Sequence, residues 1–136
     1  MLYEIKLSVE KTLDSGEQKM VKEHYICDAE LHGEAEKIGF ELYPNQQIDV
    51  FAVFRSDIHE IVNEKEDDKP FFKATVIDVQ SDLDTGKEKE LKYQMLVCAS
   101  DIVEATAIMN EYIKQGYDMR LDGIRRVKIL DYIKYE

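Results

Sequence analysis

At 136 residues, with 44% apolar and 35% charged side chains and with eight Tyr and five Phe to fill a core, the chain has the composition of one soluble domain, which excludes a disordered tail and a fold that needs disulfide staples. Its net charge is −11, divided as −9 over residues 1–69 and −2 over 70–136, and a field of that sign repels phosphate backbones, so direct nucleic-acid binding is not expected. No apolar run is long enough to span a bilayer, and Met1-Leu2-Tyr3-Glu4-Ile5-Lys6 lacks the basic and apolar regions of a signal peptide, so the expectation is a cytoplasmic protein with no membrane contact.

In chain order, Leu2 to Leu13 places Tyr3, Ile5, Leu7 and Val9 at alternate positions, the period of a half-buried strand. Asp14-Ser15-Gly16 then offers an Asx-type turn starter and a glycine free to take positive φ, so a hairpin follows. The second strand, about Gln18 to Cys27, ends in Tyr25-Ile26-Cys27 and reads as buried on both faces. A helix of about Leu31 to Tyr43 is closed by Pro44, and a final strand runs from about Ile48 to Val62. Asn63 to Pro70 holds four acids and no large apolar residue, which marks a solvated connector.

The series then repeats: a strand over Phe71 to Leu83, a turn at Asp84-Thr85-Gly86, a strand over Glu88 to Cys98, and a helix over Asp101 to Gln115 with Ser100 or Asp101 as N-cap. Ile102, Ala105, Met109, Tyr112 and Ile113 form its apolar stripe, Gly116 ends it, and a last strand covers Arg120 to Tyr135. Sliding the chain by 70 positions aligns residues 13–35 with 83–105 without a gap, and 8 of the 23 pairs are identical. One residue of slippage then matches Val53, Arg55, Ile58 and Val62 to Ile124, Arg126, Ile129 and Ile133. Chance supplies roughly one or two identities over such a window, so this is an internal repeat. The predicted fold is therefore α+β, two tandem ββαβ repeats (2–62 and 71–135) joined by the connector 63–70. A pseudo-twofold axis and one shared core would make them a single domain over 1–136.

No motif names a reaction. Asp82-Leu83-Asp84-Thr85-Gly86 has the oxygen ligands of a calcium loop but its glycine is one place early, so a hairpin turn is the better reading. His24, His32 and His59 stand singly, Cys27 and Cys98 form no CxxC pair and are read as buried reduced thiols, and Glu34, Glu36 and Glu41 read as a solvated helix face. No glycine-rich phosphate loop occurs, and no catalytic residue, metal site or cofactor is expected. The informative polar residues are Arg55, Arg125 and Arg126: arginines number only four in the chain, and Arg55 matches Arg126 across the repeat. Their alternatives are an internal salt bridge or a grip on an anion or partner carboxylate.

Tyr3-Glu4-Ile5-Lys6, the hairpin Glu10-Lys11-Thr12-Leu13-Asp14-Ser15-Gly16, Met95-Leu96-Val97-Cys98-Ala99-Ser100-Asp101 and Ile129-Leu130-Asp131-Tyr132 together resemble a family of uncharacterised small acidic proteins, a domain of unknown function from Bacteroides-group bacteria, their phages and mobile elements. Members of that family tend to carry an aromatic residue, often Trp, near the start, where this chain has Tyr3. The resemblance implies a phage or mobile-element setting and brings no activity. The expected function is a noncatalytic cytosolic interaction module, binding a protein partner or a second copy of itself. A small-molecule binder holding an anionic ligand on the arginines and an acidic mimic of nucleic acid are the alternatives.

Overall fold

The computed structural model describes residues 1–116 and 118–134, so Tyr135, the expected end of the last strand, lies outside the described residues. Among these the chain forms β1 (Leu2–Thr12), β2 (Gln18–Asp28), α1 (His32–Glu41), β3 (Ile48–Arg55), β4 (Ile58–Ile61), β5 (Phe71–Ser81), β6 (Glu88–Cys98), α2 (Ile102–Ile113), β7 (Met119–Arg126) and β8 (Ile129–Ile133). The fold is mixed α+β, with four-stranded sheets ordered β3-β1-β2-β8 and β4-β6-β5-β7. The chain divides into two compact units, residues 1–57 with 128–134, and residues 58–127.

Both hairpins form where alternation and turn chemistry place them. β1 pairs with β2 from Leu2↔Asp28 to Thr12↔Gln18, β5 pairs with β6 from Phe71↔Cys98 to Ser81↔Glu88, and Gly16 and Gly86 take φ of 86° and 68°, values that cost glycine alone nothing. The Asx contact differs from expectation: Asp82, not Asp84, accepts the Asp84 N–H at 2.9 Å, because the hydrogen bonds between Asp82 and Lys87 and between Gly86 and Asp82 begin the turn two residues earlier.

The expected single closing strand of each copy is two strands. β3 returns antiparallel to the outer side of β1, from Tyr3↔Arg55 to Val9↔Ile48, and the chain breaks at Ser56-Asp57. β4 then joins the other sheet, parallel to β6. Conversely β7 lies on β5, while β8 lies parallel to β2 from His24↔Ile129 to Cys27↔Ile133. Each sheet is therefore finished by a short strand from the other half of the sequence.

The helix in each unit covers one face of its own sheet. In the first, Tyr3, Ile5, Cys27, Ala29 and Ala35 form a buried cluster with Val50, Val53, Ile38 and Ile133 against it. In the second, Phe72, Ala74, Val76, Met95, Val97, Ala99, Ala105 and Met109 do the same with Leu121, Ile124, Val62 and Tyr112. Each large aliphatic side chain so buried contributes roughly 1.5–3 kcal/mol. Of the expected stripe on α2, Ala105 and Met109 are fully buried, whereas Ile102 is half exposed because it sits just after the cap, before the helix has settled on the sheet.

The two helices start differently. Asp101 accepts the Glu104 N–H at 2.8 Å and so caps α2, whereas Leu31 stands at the N-cap of α1 and offers no side-chain oxygen. α1 instead relies on close approach: a Cβ on Gly39 would lie 3.0 Å from Ile5 Cγ2 and 3.5 Å from Val50, while one on Gly33 would meet nothing within 4 Å. Gly39→Val should therefore cost about 2–3 kcal/mol through overpacking. Gly33→Ala should add about 0.5–1 kcal/mol by lowering the entropy of the unfolded chain. Thermal melts of both variants check the pair, and equal effects would contradict the seating of α1.

The acidic connector is held by polar groups. Asn63 donates to the Cys98 carbonyl at 2.8 Å and accepts the Cys98 N–H at 2.7 Å, extending the β4–β6 pairing by one side chain. Lys69 meets Glu66 at 2.8 Å and Glu104 at 3.2 Å, and the Glu66 N–H reaches the Cys98 sulfur at 3.3 Å. Lack of apolar residues left the segment without a core anchor, and backbone-mimicking amide chemistry supplied another kind.

Candidate functional site

The three arginines are exposed at two edge strands. Arg55 opposes Tyr3 and Arg126 opposes Phe72, on the helix-covered face of each sheet, while Arg125 opposes Lys73 on the other face. Arg55 and Arg126 thus each stand opposite an aromatic residue of their own unit's buried cluster. None of the three forms an ion pair among the described residues; Arg120, which reaches Glu90 at 3.1 Å, does.

The histidines divide among structural roles. His24 Nε2 lies 2.8 Å from Glu4 Oε1, and Ser56 donates to the other oxygen of that buried carboxylate at 2.8 Å. Serine and histidine both address the acid rather than each other, so no nucleophile and base are paired there. His32 Nε2 donates to the Val53 carbonyl at 2.9 Å and its ring meets Tyr3 edge-on, and His59 packs on Tyr93 with centroids 4.6 Å apart. Both cysteines are free and buried, and burial pushes the Cys27 thiol up to about 11, away from nucleophilic use. Among the described residues no group of three His, Cys, Asp or Glu gathers to hold a metal, and no helix is long and apolar enough to cross a membrane.

A polar knot lies under the C-terminal end of α1. Glu23, its side chain 5% exposed, accepts Lys11 at 2.8 Å, Tyr43 at 2.5 Å and Tyr25 at 3.0 Å. Burial by itself would raise this carboxyl, but the three donors outweigh it and hold the group below its usual range. Burial and the neighbouring Tyr43 and Glu23 push the Tyr25 phenol up. Sequence reading passed over Glu23, because a lone acid in a strand, two residues from Tyr25, carries no signal of which helix end will close over it.

A cavity of about 500 Å³ opens where β2 ends, α1 begins and β8 passes, lined by Asp28, Ala29, Glu30, Glu34, Tyr132 and Lys134. None of the arginines lines it. Glu34 is committed there to the Glu30 N–H at 3.1 Å, and burial and then Asp28 raise the Tyr132 phenol.

The surface that stands out is the outer side of β3. A bulge interrupts its pairing with β1 between Lys6↔Ala52 and Leu7↔Val50, so Phe51 is the extra residue. Val50 and Val53 both turn to the helix-packed cluster, and Phe51 and Phe54 are left 47% and 39% exposed. Lys22 Nζ stands 5.8 Å from the Phe51 ring centre, Lys6 Nζ 5.7 Å from that of Phe54, and His24 tilts beside Phe54 at 6.5 Å. β7 bears the same bulge, between Thr75↔Gly123 and Val76↔Leu121, with Leu121 and Ile124 turned inward. At the two outward positions it carries Asp122 and Arg125. Two strands of the same build thus differ where they face solvent, and one of them presents phenyl rings.

In comparisons with known proteins, a family model described as Domain of unknown function (DUF4494) matches residues 1–135. No curated protein and no solved structure matches the chain.

Proposed function

From the premise that this chain belongs to the DUF4494 family, we propose that it is a noncatalytic protein-interaction module whose docking surface is the outer side of β3. The observation that carries this is the contrast between the edge strands: charged residues protect β7, as edges of isolated sheets ordinarily are protected, whereas Phe51 and Phe54 are left exposed on β3. Aromatic side chains so placed are the residue type that anchors interfaces. The backbone of β3 is the lesser part of the surface, since His32 already occupies the Val53 carbonyl.

The same reading takes the two units as copies of one ββαβ segment, supported by the matching strand orders, bulges and arginine positions. A bacterial cytoplasmic setting, within a phage or mobile element, rests on the sequence resemblance. The alternative of an anionic ligand keeps one support, that Arg55, Arg125 and Arg126 are exposed and without ion pairs among the described residues.

The test is copurification from cells with tagged wild-type chain and with a Phe51→Ser, Phe54→Ser variant. Because each ring is about half buried, the double change should cost roughly 2–4 kcal/mol, and circular dichroism confirms that the variant is folded at the temperature of the assay. The expected result is a partner, or a second copy, retained by the wild type and lost by the variant. A strictly monomeric wild type that retrieves nothing, or a partner held equally by both, would count against the proposal.

A further inference from the structure

The chemistry of this surface narrows the kind of protein it takes. Lys6 and Lys22 each hold an ammonium over a phenyl ring of β3, and neither forms an ion pair among the described residues, although the chain holds 29 acids against 18 Lys and Arg. An ammonium that rests on an aromatic face keeps its donors directed outward, and its natural complement is a carboxylate. The register places Lys6 opposite Ala52 and His24, and Lys22 opposite Ser8. The two cations therefore lie on the same face of the sheet as Phe54, the face opposite α1.

Resting on the interaction reading of β3, we infer that the occupant is an extended protein segment whose side chains on one face, at every second position, are acidic and large apolar in turn. Its apolar side chains cover Phe51 and Phe54, and its carboxylates meet Lys6 and Lys22. The spacing follows from the surface: rings and ammonium groups are interleaved on one face, and an extended chain turns only every second side chain to that face, so acidic and apolar residues take turns at every second position. Single-stranded nucleic acid shares the taste for aromatic rings and cations. It is disfavoured because the lysines already cap both rings against base stacking and because the half of the sequence carrying β3 has a net charge of −9.

The experiment uses the full chain and four fluorescein-labelled probes: a twelve-residue peptide of Leu-Thr-Asp-Thr repeats (the Leu-Asp peptide), its counterparts with Ser or Lys in place of Asp (Leu-Ser and Leu-Lys), and oligo-dT. Fluorescence anisotropy should show the Leu-Asp peptide binding at least tenfold more tightly than the other three, with several-fold weakening as salt rises. Lys6→Gln with Lys22→Gln should abolish the preference for Leu-Asp over Leu-Ser, and Phe51→Ser with Phe54→Ser should weaken both peptides tenfold or more. Circular dichroism should show every variant folded at the assay temperature, with the lysine variant melting within a few degrees of wild type. Equal binding of Leu-Asp and Leu-Ser, an unchanged preference in the lysine variant, or tighter binding of oligo-dT would each overturn the inference. A copurified partner lost with Phe51 and Phe54, alongside no acidic preference, would overturn this inference and leave the interaction reading of β3 standing.

Discussion

Removing residues 128–136 is expected to lower the melting temperature by more than about 15 °C and to strip amide protection from Ile26, while Tyr25 and Cys27, whose N–H groups face β1 in step with the Ala29 to Met1 bond, keep theirs. β8 is only five residues long, but it is the parallel partner of β2 from His24 to Cys27, and Ile133 packs on the cluster under α1. Ile129, 5% exposed, is lost with it. Two aliphatic side chains at roughly 2 kcal/mol each, added to the backbone bonds of four register pairs, make a cost of about 5 kcal/mol or more. That is a large part of the 5–15 kcal/mol that holds a domain of this size together, and at about 3–4 °C per kcal/mol it gives the stated shift. Ile129→Ala alone should cost about 2–4 kcal/mol through its cavity. Hydrogen exchange and thermal melts measure both. A truncated chain that melts within 2 °C of the full one would mean that β8 contributes pairing without stability.

Replacement of Glu23 by alanine is expected to cost about 3 kcal/mol, or about 10 °C in melting temperature. Lys11 is 44% exposed on its side chain and can return to water. The hydroxyls of Tyr25 and Tyr43 lose their acceptor in a part-buried position, and each unsatisfied donor costs about 1–2 kcal/mol. Glu23→Gln should fall between, near 1–2 kcal/mol, because an amide oxygen keeps part of the bonding but not the charge. The pH dependence has a fixed sign. The folded carboxyl lies below its unfolded value of 4.5, so its contribution is fully present above that value and is lost as pH falls through the folded one. Wild type should therefore lose stability on acidification below about pH 4.5 more steeply than Glu23→Gln, which lacks the titrating group. Denaturant midpoints measured from pH 6 to pH 3 test this, and parallel curves for the two proteins would exclude Glu23 as the source.

Much of the fold was legible in residues close together in the chain. Alternation in Tyr3, Ile5, Leu7 and Val9 and the glycines of the two turns were enough for both hairpins, since a short connection leaves two strands little choice of partner. Ser100-Asp101 ahead of the apolar stripe was enough to place the start of α2 to within a residue, and the structure chose Asp101 as the cap. β3 was harder to read. Val50-Phe51-Ala52-Val53-Phe54 reads at period two as one apolar face and another half-apolar face. The bulge at Phe51 advances the strand by one residue, so Val50 and Val53 share a side and both rings are turned outward. A single extra residue in a ladder leaves no mark in composition, and so the candidate surface could not be found before the pairing was known. The arginines showed the opposite case: the match of Arg55 to Arg126 could be expected from sequence alone, but whether each had an ion-pair partner depended on which of many acids lay within reach.

By itself the sequence determined the order of hairpin and helix that occurs at 2–41 and at 71–113, because period, turn chemistry and capping act over a few residues and need no distant partner. Only the tertiary structure decided where β4 and β8 go. Ile58–Ile61 and Ile129–Ile133 are short apolar segments equally suited to the edge of β2 or of β6. Their assignment depends on the total burial and hydrogen bonding of the assembled sheets, a sum over residues roughly 35 to 105 positions apart that no local pattern records.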